Sequence, residues 1–462
     1  MPTDPPDDND LSELLGDFVV DRRLVLTTLH AIPVGLAGAA LAYVLLRLIG
    51  LVTNLVFYQR WNTSLADPAG APHRPLLILL APVAGGLVVG LMARFGSEKI
   101  RGHGIPEAIE AIAVNESRVQ PRLTILKPLS AAISIGTGGP FGAEGPIIMS
   151  GGAAGSLIAQ WLRVSTDERK ALMAAGAAAG MTAVFNAPLA SVLFVTELLL
   201  FEWRPRSFIP VVTAVAASTI LRGRILGNHA LFALPPAALH LHLTTDLLCV
   251  PVGLSAGLLA IVANVLVYRS EDLFERLPLH WMWWPAIGGL VIGVGGLIEP
   301  RALGVGYDVI DSLLSGHATM SLIVGILAVK TIIWGVGLGS GTSGGVLAPM
   351  FMVGAALGAL EGHLLPTVIP GFWAMLGLAA VIGGVLRTPL TGIVFPLELT
   401  GAWGLLLPVM IATTAAYLIS VLVLRRSLLT EKLARRGVHL SYDYSAAAAV
   451  PAVPATGASP PG

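Results

Sequence analysis

The chain has 462 residues, 55% of them hydrophobic and 12% charged, with a mean hydropathy of +0.78 and a formal net charge of zero. So apolar a composition excludes an ordinary soluble globule and points to an integral membrane protein. The balanced charge argues against nucleic-acid binding, and the single Cys249 excludes an intrachain disulfide framework.

Residues 1–24 begin MPTDPPDDND, acidic and proline-rich without a basic n-region, and are expected to form a cytoplasmic segment instead of a cleaved signal. Within them LLGDFVV predicts a helix lying on the membrane surface. Apolar runs long enough to cross a bilayer follow at 25–58 and 76–94. Two short Gly/Pro pieces come next, GHGIP at 102–106 and GAEGP at 142–146. A third span is predicted at 171–200, followed by Glu202, Trp203, Arg204 and Arg206, a mixture suited to a membrane interface. Residues 226–244, with GNHALFALPPAALHLH, read as a loop. Further spans are predicted at 245–268, 282–298, 318–338 and 403–424, with GGVLAP at 344–349 and PLTGIVFPLEL from Pro389 between the last two. Arg22 and Arg23 precede the first span, and Arg425, Arg426, Lys432, Arg435 and Arg436 follow the last, which puts both termini in the cytoplasm. Residues 437–462 form a low-complexity tail, expected to be disordered and to hold no regulatory domain.

The chain repeats itself. At an offset of 203, Lys127, Gly136, Gly138, Gly142, Pro146 and Met149 fall on Lys330, Gly339, Gly341, Gly345, Pro349 and Met352. At 202, Gly102 and Gly104 fall on Gly304 and Gly306; at 201, PLASVLFVTEL from Pro188 overlays PLTGIVFPLEL, pairing Glu197 with Glu398. The membrane part therefore divides into halves at 25–225 and 245–436. Duplicated halves with Gly/Pro-interrupted segments at matching places indicate a transport protein with its site near mid-depth. Gly151 with Gly155, and Gly354 with Gly358, have the four-residue spacing of close helix packing instead.

GHGIP, GAEGP and GGVLAP each place glycine before and proline within a first helical turn, so each marks a helix beginning inside the membrane. A helix start leaves amides unpaired and carries about half a positive charge, so converging starts make an anion site without a lysine. Dipoles partly replace hydration yet release the ion, as conduction demands. Glu144 is itself an anion at such a start. Ionised, it competes for the same amides; protonated, it loses that attraction, which makes it the candidate gate and proton carrier.

GHGIP, GAEGP with its following GG, FNAPLASVLFVTELL, GSGTSGGVLAP and PLTGIVFPLEL resemble, in order and spacing, the signatures of the CLC family of chloride channels and chloride/proton antiporters. The resemblance covers about 25–436. It implies an all-α polytopic membrane protein built as two inverted repeats of tilted and broken helices, and a homodimer with a pore in each subunit. It implies no cofactor and no metal; the partners would be chloride or another small anion, protons and the lipid bilayer. By the same resemblance Gly102, His103, Gly104, Ile105 and Pro106, then Gly142, Ala143, Gly145 and Pro146, then Gly345, Val346, Leu347 and Ala348 line the anion path, with Glu144 its outer gate.

Departures from the family pattern bear on the details. His103 stands where a serine is common, and its imidazole can donate to an anion or turn aside to backbone. Leu429 takes the place of the central tyrosine, and Leu347 that of an aromatic. Leu198 occupies the position of the internal glutamate of many transporters. Glu202, one turn on, is the candidate internal proton acceptor, with an interfacial anchor as its alternative. An exchanger in the cell inner membrane is the expectation and a passive chloride channel its rival. An intramembrane serine protease, with Ser343 in GTSG as nucleophile and His363 as base, is a remote third possibility. No His-Glu-x-x-His zinc motif and no phosphate-binding loop are present, so neither an enzyme of those classes nor an ATP-driven pump is expected.

Overall fold

In the computed structural model, residues 22–70, 72–232, 234 and 242–438 are described. LLGDFVV, residues 233 and 235–241 of the loop at 226–244, and nearly all of the tail at 437–462 lie outside them. The described regular structure is helical, with two isolated β-bridges.

The first half runs through α1 (Arg23–Tyr58), α2 (Pro75–Phe95), α3 (Ile105–Ala113), α4 (Pro121–Gly136), α5 (Glu144–Leu162), α6 (Thr166–Phe185), α7 (Pro188–Val195) and α8 (Pro205–Ile225). The second runs through α9 (Leu243–Glu275), α10 (Trp284–Ile298), α11 (Tyr307–Leu314), α12 (Met320–Gly325), α13 (Thr331–Gly339), α14 (Leu347–Gly362), α15 (Phe372–Leu386), α16 (Pro389–Thr400), α17 (Leu406–Val423) and α18 (Leu428–Arg435). A π-helical turn joins α12 to α13, so together they answer to α4. Proline opens α2, α4, α7, α8, α10 and α16 at their first turns, where its missing N–H costs nothing.

One predicted span needs correction and one span went unpredicted. Residues 171–200 do not form one helix: Asn186 turns left-handed (φ 55°) at the end of α6, and Pro188 restarts the chain as α7. Conversely α8, at which no span is predicted, is among the helices long and apolar enough to span. Its arginines and hydroxyls dilute the hydropathy that marks the others.

Packing is tight where the spacing predicted it. A Cβ on Gly155 would sit 2.1 Å from the Leu172 carbonyl, and one on Gly358 2.0 Å from that of Trp373, so α5 against α6 and α14 against α15 touch backbone to backbone. The halves are also stitched reciprocally. Glu197 accepts from the N–H groups of Leu390 (3.0 Å) and Thr391 (2.9 Å) at the start of α16, and Glu398 accepts from Leu189 (2.9 Å) and Ala190 (2.7 Å) at the start of α7. Each carboxylate caps the helix start of the other half, as the helix dipole favours. Phe185, Phe351 and Phe395 add edge-to-face contacts across the same seam, with centroids 5.0–6.1 Å apart.

Candidate functional site

The three interrupted starts meet. Gly102 donates to the Thr342 carbonyl (3.2 Å), Gly344 donates back to Gly102 (3.4 Å), and Gly142 and Gly345 exchange both backbone bonds (3.4 and 2.8 Å). Only a residue without a side chain permits this approach: a Cβ on Gly145 would lie 1.8 Å from the His103 carbonyl. Gly104 enters α3 with φ 89° in the left-handed region. Ile105, Pro106, Ala143, Pro146, Val346, Leu347 and Ala348 are all buried around this junction.

Glu144 lies at its centre, fully buried. Its Oε1 accepts from the Ala348 N–H at the first turn of α14 (3.0 Å), and its Oε2 is buried with no partner. The carboxylate thus sits on an amide of a different helix from its own. Room for it comes from two glycines, since a Cβ on Gly142 would be 1.8 Å from Oε2 and one on Gly345 2.6 Å from Oε1.

Two buried lysines, the pair that the repeat overlays, stand behind the turns. Lys127 Nζ donates to the carbonyls of Ile100 (2.8 Å) and Gly102 (2.7 Å), and Lys330 Nζ to that of Gly304 (2.8 Å). When a turn aims its amides one way, its carbonyls face the other and need a donor. The legible signal was the repeat itself, which overlays Lys127 on Lys330.

The remaining candidates divide. His103 is buried, its Nδ1 has no partner, and it lines a cavity of about 590 Å³ together with Arg101, Tyr268, Glu271, Trp281, Trp284 and Lys432. Leu429 is buried at the start of α18, beside the Leu428 carbonyl that accepts from the Tyr268 hydroxyl. Glu202 stands apart in an ion-pair cluster with Lys170 (3.6 Å), Arg204 (3.6 Å) and Arg206 (3.9 Å), and it accepts from the Ser207 hydroxyl (2.6 Å). Ser343 is buried against the Ser130 hydroxyl (3.0 Å), whereas His363 is exposed and bonded to the Ala359 carbonyl, so the structure does not unite them as nucleophile and base.

Around Arg101, burial pulls the pKa down while Glu98 and then Glu271 push it back up. At the far end of α2, Asp67 and Asp308 line a second pocket of about 190 Å³ with Tyr307. Burial, and after it the neighbouring Asp308, push the Asp67 carboxyl up to about 7. The Tyr307 hydroxyl is buried without a partner.

A family profile described as voltage gated chloride channel matches residues 85–421. The chain belongs to that family. It is 30% identical over 352 residues to a putative ClcB-like chloride channel protein of Ralstonia nicotianae, covering 73% of this chain and 81% of that one. It is 32% identical over 374 residues to the H(+)/Cl(-) exchange transporter ClcA of Yersinia pestis bv. Antiqua, covering 78% of each. Its fold is similar to the crystal structure of a slow cyanobacterial Cl-/H+ antiporter, with a TM-score of 0.77 at 22% identity over 90% of this chain and 98% of that one. The protein is thus a multi-pass membrane protein with the all-α CLC fold.

Proposed function

We propose that this CLC protein carries chloride, or a similar small anion, across the membrane in exchange for protons, with Glu144 as gate and proton carrier. The observation that carries the proposal is the Glu144 carboxylate seated on the Ala348 amide where three helix starts converge. Ionised, the carboxylate takes the place of a permeating anion. Protonated, it loses most of its attraction to those amides and swings away, so a proton leaves with the side chain as an anion enters. Gly102 to Pro106, Gly142, Ala143, Gly145 and Pro146, and Gly345 to Ala348 then offer the anion mainly amides, and His103 adds a ring N–H. Leu429 closes the path as an apolar wall. The halves 25–225 and 245–436 frame this path, and the vestibule beside α18 and both termini face the cytoplasm of a cell whose inner membrane holds the protein as a homodimer.

A passive chloride channel is the alternative, favoured by the buried apolar Leu198 and by the engagement of Glu202 in ion pairs. In liposomes holding the purified protein, a chloride gradient drives protons uphill if exchange is correct, and Glu144→Gln abolishes proton movement while chloride still flows. Chloride flux with no proton movement in the wild type would establish the channel. Proton pumping that survives in Glu144→Gln would remove Glu144 from the mechanism.

A further inference from the structure

A pocket of about 250 Å³ opens where α9 nears its end and the chain passes from α17 into α18. Asn264, Tyr268 and Asp272 recur every four residues along its α9 wall, and Arg425, Arg426 and Arg435 close the other side. The Arg435 guanidinium lies on the Tyr268 ring, 4.6 Å from its centroid, and this pair stands between the pocket and the 590 Å³ vestibule, lining both. The depth of the pocket is set by where apolar surface gives way to charge. α9 exposes Leu258, Val262 and Val265 on one face, and the next turn of that face exposes Arg269. Leu418 and Leu422 are exposed near the end of α17, and the exposed Arg425 follows shortly after. The two helices lie side by side, since a Cβ on Gly253 would be 2.3 Å from the Ala412 carbonyl. Apolar rows that end in arginine on adjacent helices mark the level of lipid headgroups.

The lining holds four arginines against two carboxylates, an excess of two positive charges. Arg435 pairs with Asp272 (2.6 Å) and Glu431 (3.5 Å), and Arg426 pairs with Glu431 (3.5 Å). Both carboxylates are thereby engaged, while the side chains of Arg269 and Arg425 make no hydrogen bond or ion pair with any described residue. Arg269 feels Asp272 only from beyond ion-pairing distance. A second, independent group points to the same ligand. Asn264 is only 7% exposed, yet its amide bonds to no described residue and is not sealed in protein, so it opens into the pocket it lines. A buried amide without a partner is costly. A phosphate group has oxygens enough to accept from this amide and from two guanidinium forks at once, which a single chloride ion cannot do.

We propose that this pocket holds the phosphate of an anionic phospholipid, with the acyl chains lying along the exposed apolar row of α9. Its place at the end of that row favours a lipid over a soluble phosphate, since only the lipid also covers the apolar surface. The lipid comes from the leaflet beside α18, the cytoplasmic one in the orientation proposed above, where anionic headgroups gather and basic residues attract them. The site lies outside the anion path and holds whether the protein exchanges or conducts. Bound there, the headgroup ties α9 to α18, adding to the Tyr268 hydroxyl that already donates to the Leu428 carbonyl.

The test titrates purified full-length protein in neutral detergent with short-chain phosphatidylglycerol, followed by calorimetry, with phosphatidylcholine of the same chains and glycerol phosphate as comparison arms. Phosphatidylglycerol should bind about tenfold more tightly than either. Arg269→Gln combined with Arg425→Gln should raise its dissociation constant about thirtyfold, the order expected for two basic residues facing an anionic headgroup. Asn264→Leu, which alters no charge, should raise it about tenfold, as for one hydrogen bond to a charged group. Arg276→Gln, a charge change just past α9 and outside the pocket, should leave it within about twofold. Unchanged phosphatidylglycerol affinity in a normally eluting double variant overturns the proposal, and so does an equal loss in Arg276→Gln, the sign of a diffuse surface effect. Phosphatidylcholine binding as tightly also overturns it. Glycerol phosphate binding as tightly makes the pocket a site for soluble phosphate esters and overturns the lipid assignment. Should the double variant fail to fold, Asn264→Leu decides, because unchanged affinity there removes the buried amide on which the site rests.

Discussion

The turn at Gly102–Gly104 and its counterpart at Gly304–Gly306 share a backbone design. Both end in a left-handed glycine that opens a short helix, Gly104 at φ 89° and Gly306 at φ 75°. Both donate into the loop of the opposite half, Gly102 to Thr342 and Gly304 to Gly138, each at 3.2 Å. Both rest on a buried lysine. What differs is the side chains. Arg101 and His103 furnish the first turn beside the larger vestibule; Leu303, Val305 and the Tyr307–Asp308 pair furnish the second beside the smaller, acidic pocket. The 21 residues of α2 span roughly 30 Å at 1.5 Å per residue, about a bilayer core. Duplication supplied two equal scaffolds, and substitution made one end cationic and the other acidic.

The largest effect should come from breaking the first turn alone. Gly145→Ala would drive a methyl into the His103 carbonyl, 1.8 Å away, and force the helix starts apart. Where geometry decides activity, a shift of roughly 1 Å costs about a hundredfold, and liposome anion flux should fall on that scale. Flux within a few-fold of wild type would show that the junction yields without loss.

Next come the lysines. Lys127→Met leaves two buried carbonyls without their donor and Lys330→Met one, at about 1–3 kcal/mol each. Thermal unfolding in detergent should therefore place Lys127→Met below Lys330→Met, and both below wild type. The reverse order would mean that the Gly304 turn, not the Gly102 turn, depends more on its lysine.

The smallest effect sharpens the acidic end. Asp67 titrates near 7 in the folded protein, above its ordinary value of 3.8. Between about pH 4 and 7 the unfolded chain has released this proton and the folded protein still holds it, so Asp67 makes stability fall as pH rises across that window. Asp67→Asn should flatten that part of the stability profile, measured by unfolding at graded pH. A slope unchanged in the variant would place the titration on another group.

Much of this architecture was legible in the chain. Gly and Pro act locally, so GHGIP, GAEGP and GGVLAP announced helix starts before any contact was known, and the repeat announced that Glu197 and Glu398 would occupy equivalent places. Hydropathy misjudged 171–200 because it registers apolar runs and not the left-handed turn of Asn186 within one. It undervalued α8 because Arg222 and Arg224 stand in the same window. His103 drew notice by departing from a pattern, whereas Arg269 did not, because an arginine after a long apolar run resembles any interfacial cation.

From the sequence alone came the membrane class, the duplicated halves, the interrupted helix starts and the isolated carboxylate at 144, since all of these follow from composition and from backbone preferences acting over a few residues. Tertiary structure alone decided that Glu144 lies on the Ala348 amide, that Lys127 donates to the Gly102 turn, and that Asn264, Arg269 and Arg425 meet in one pocket. Such pairings join residues far apart in the chain, and the geometry that unites them is set by how whole helices pack.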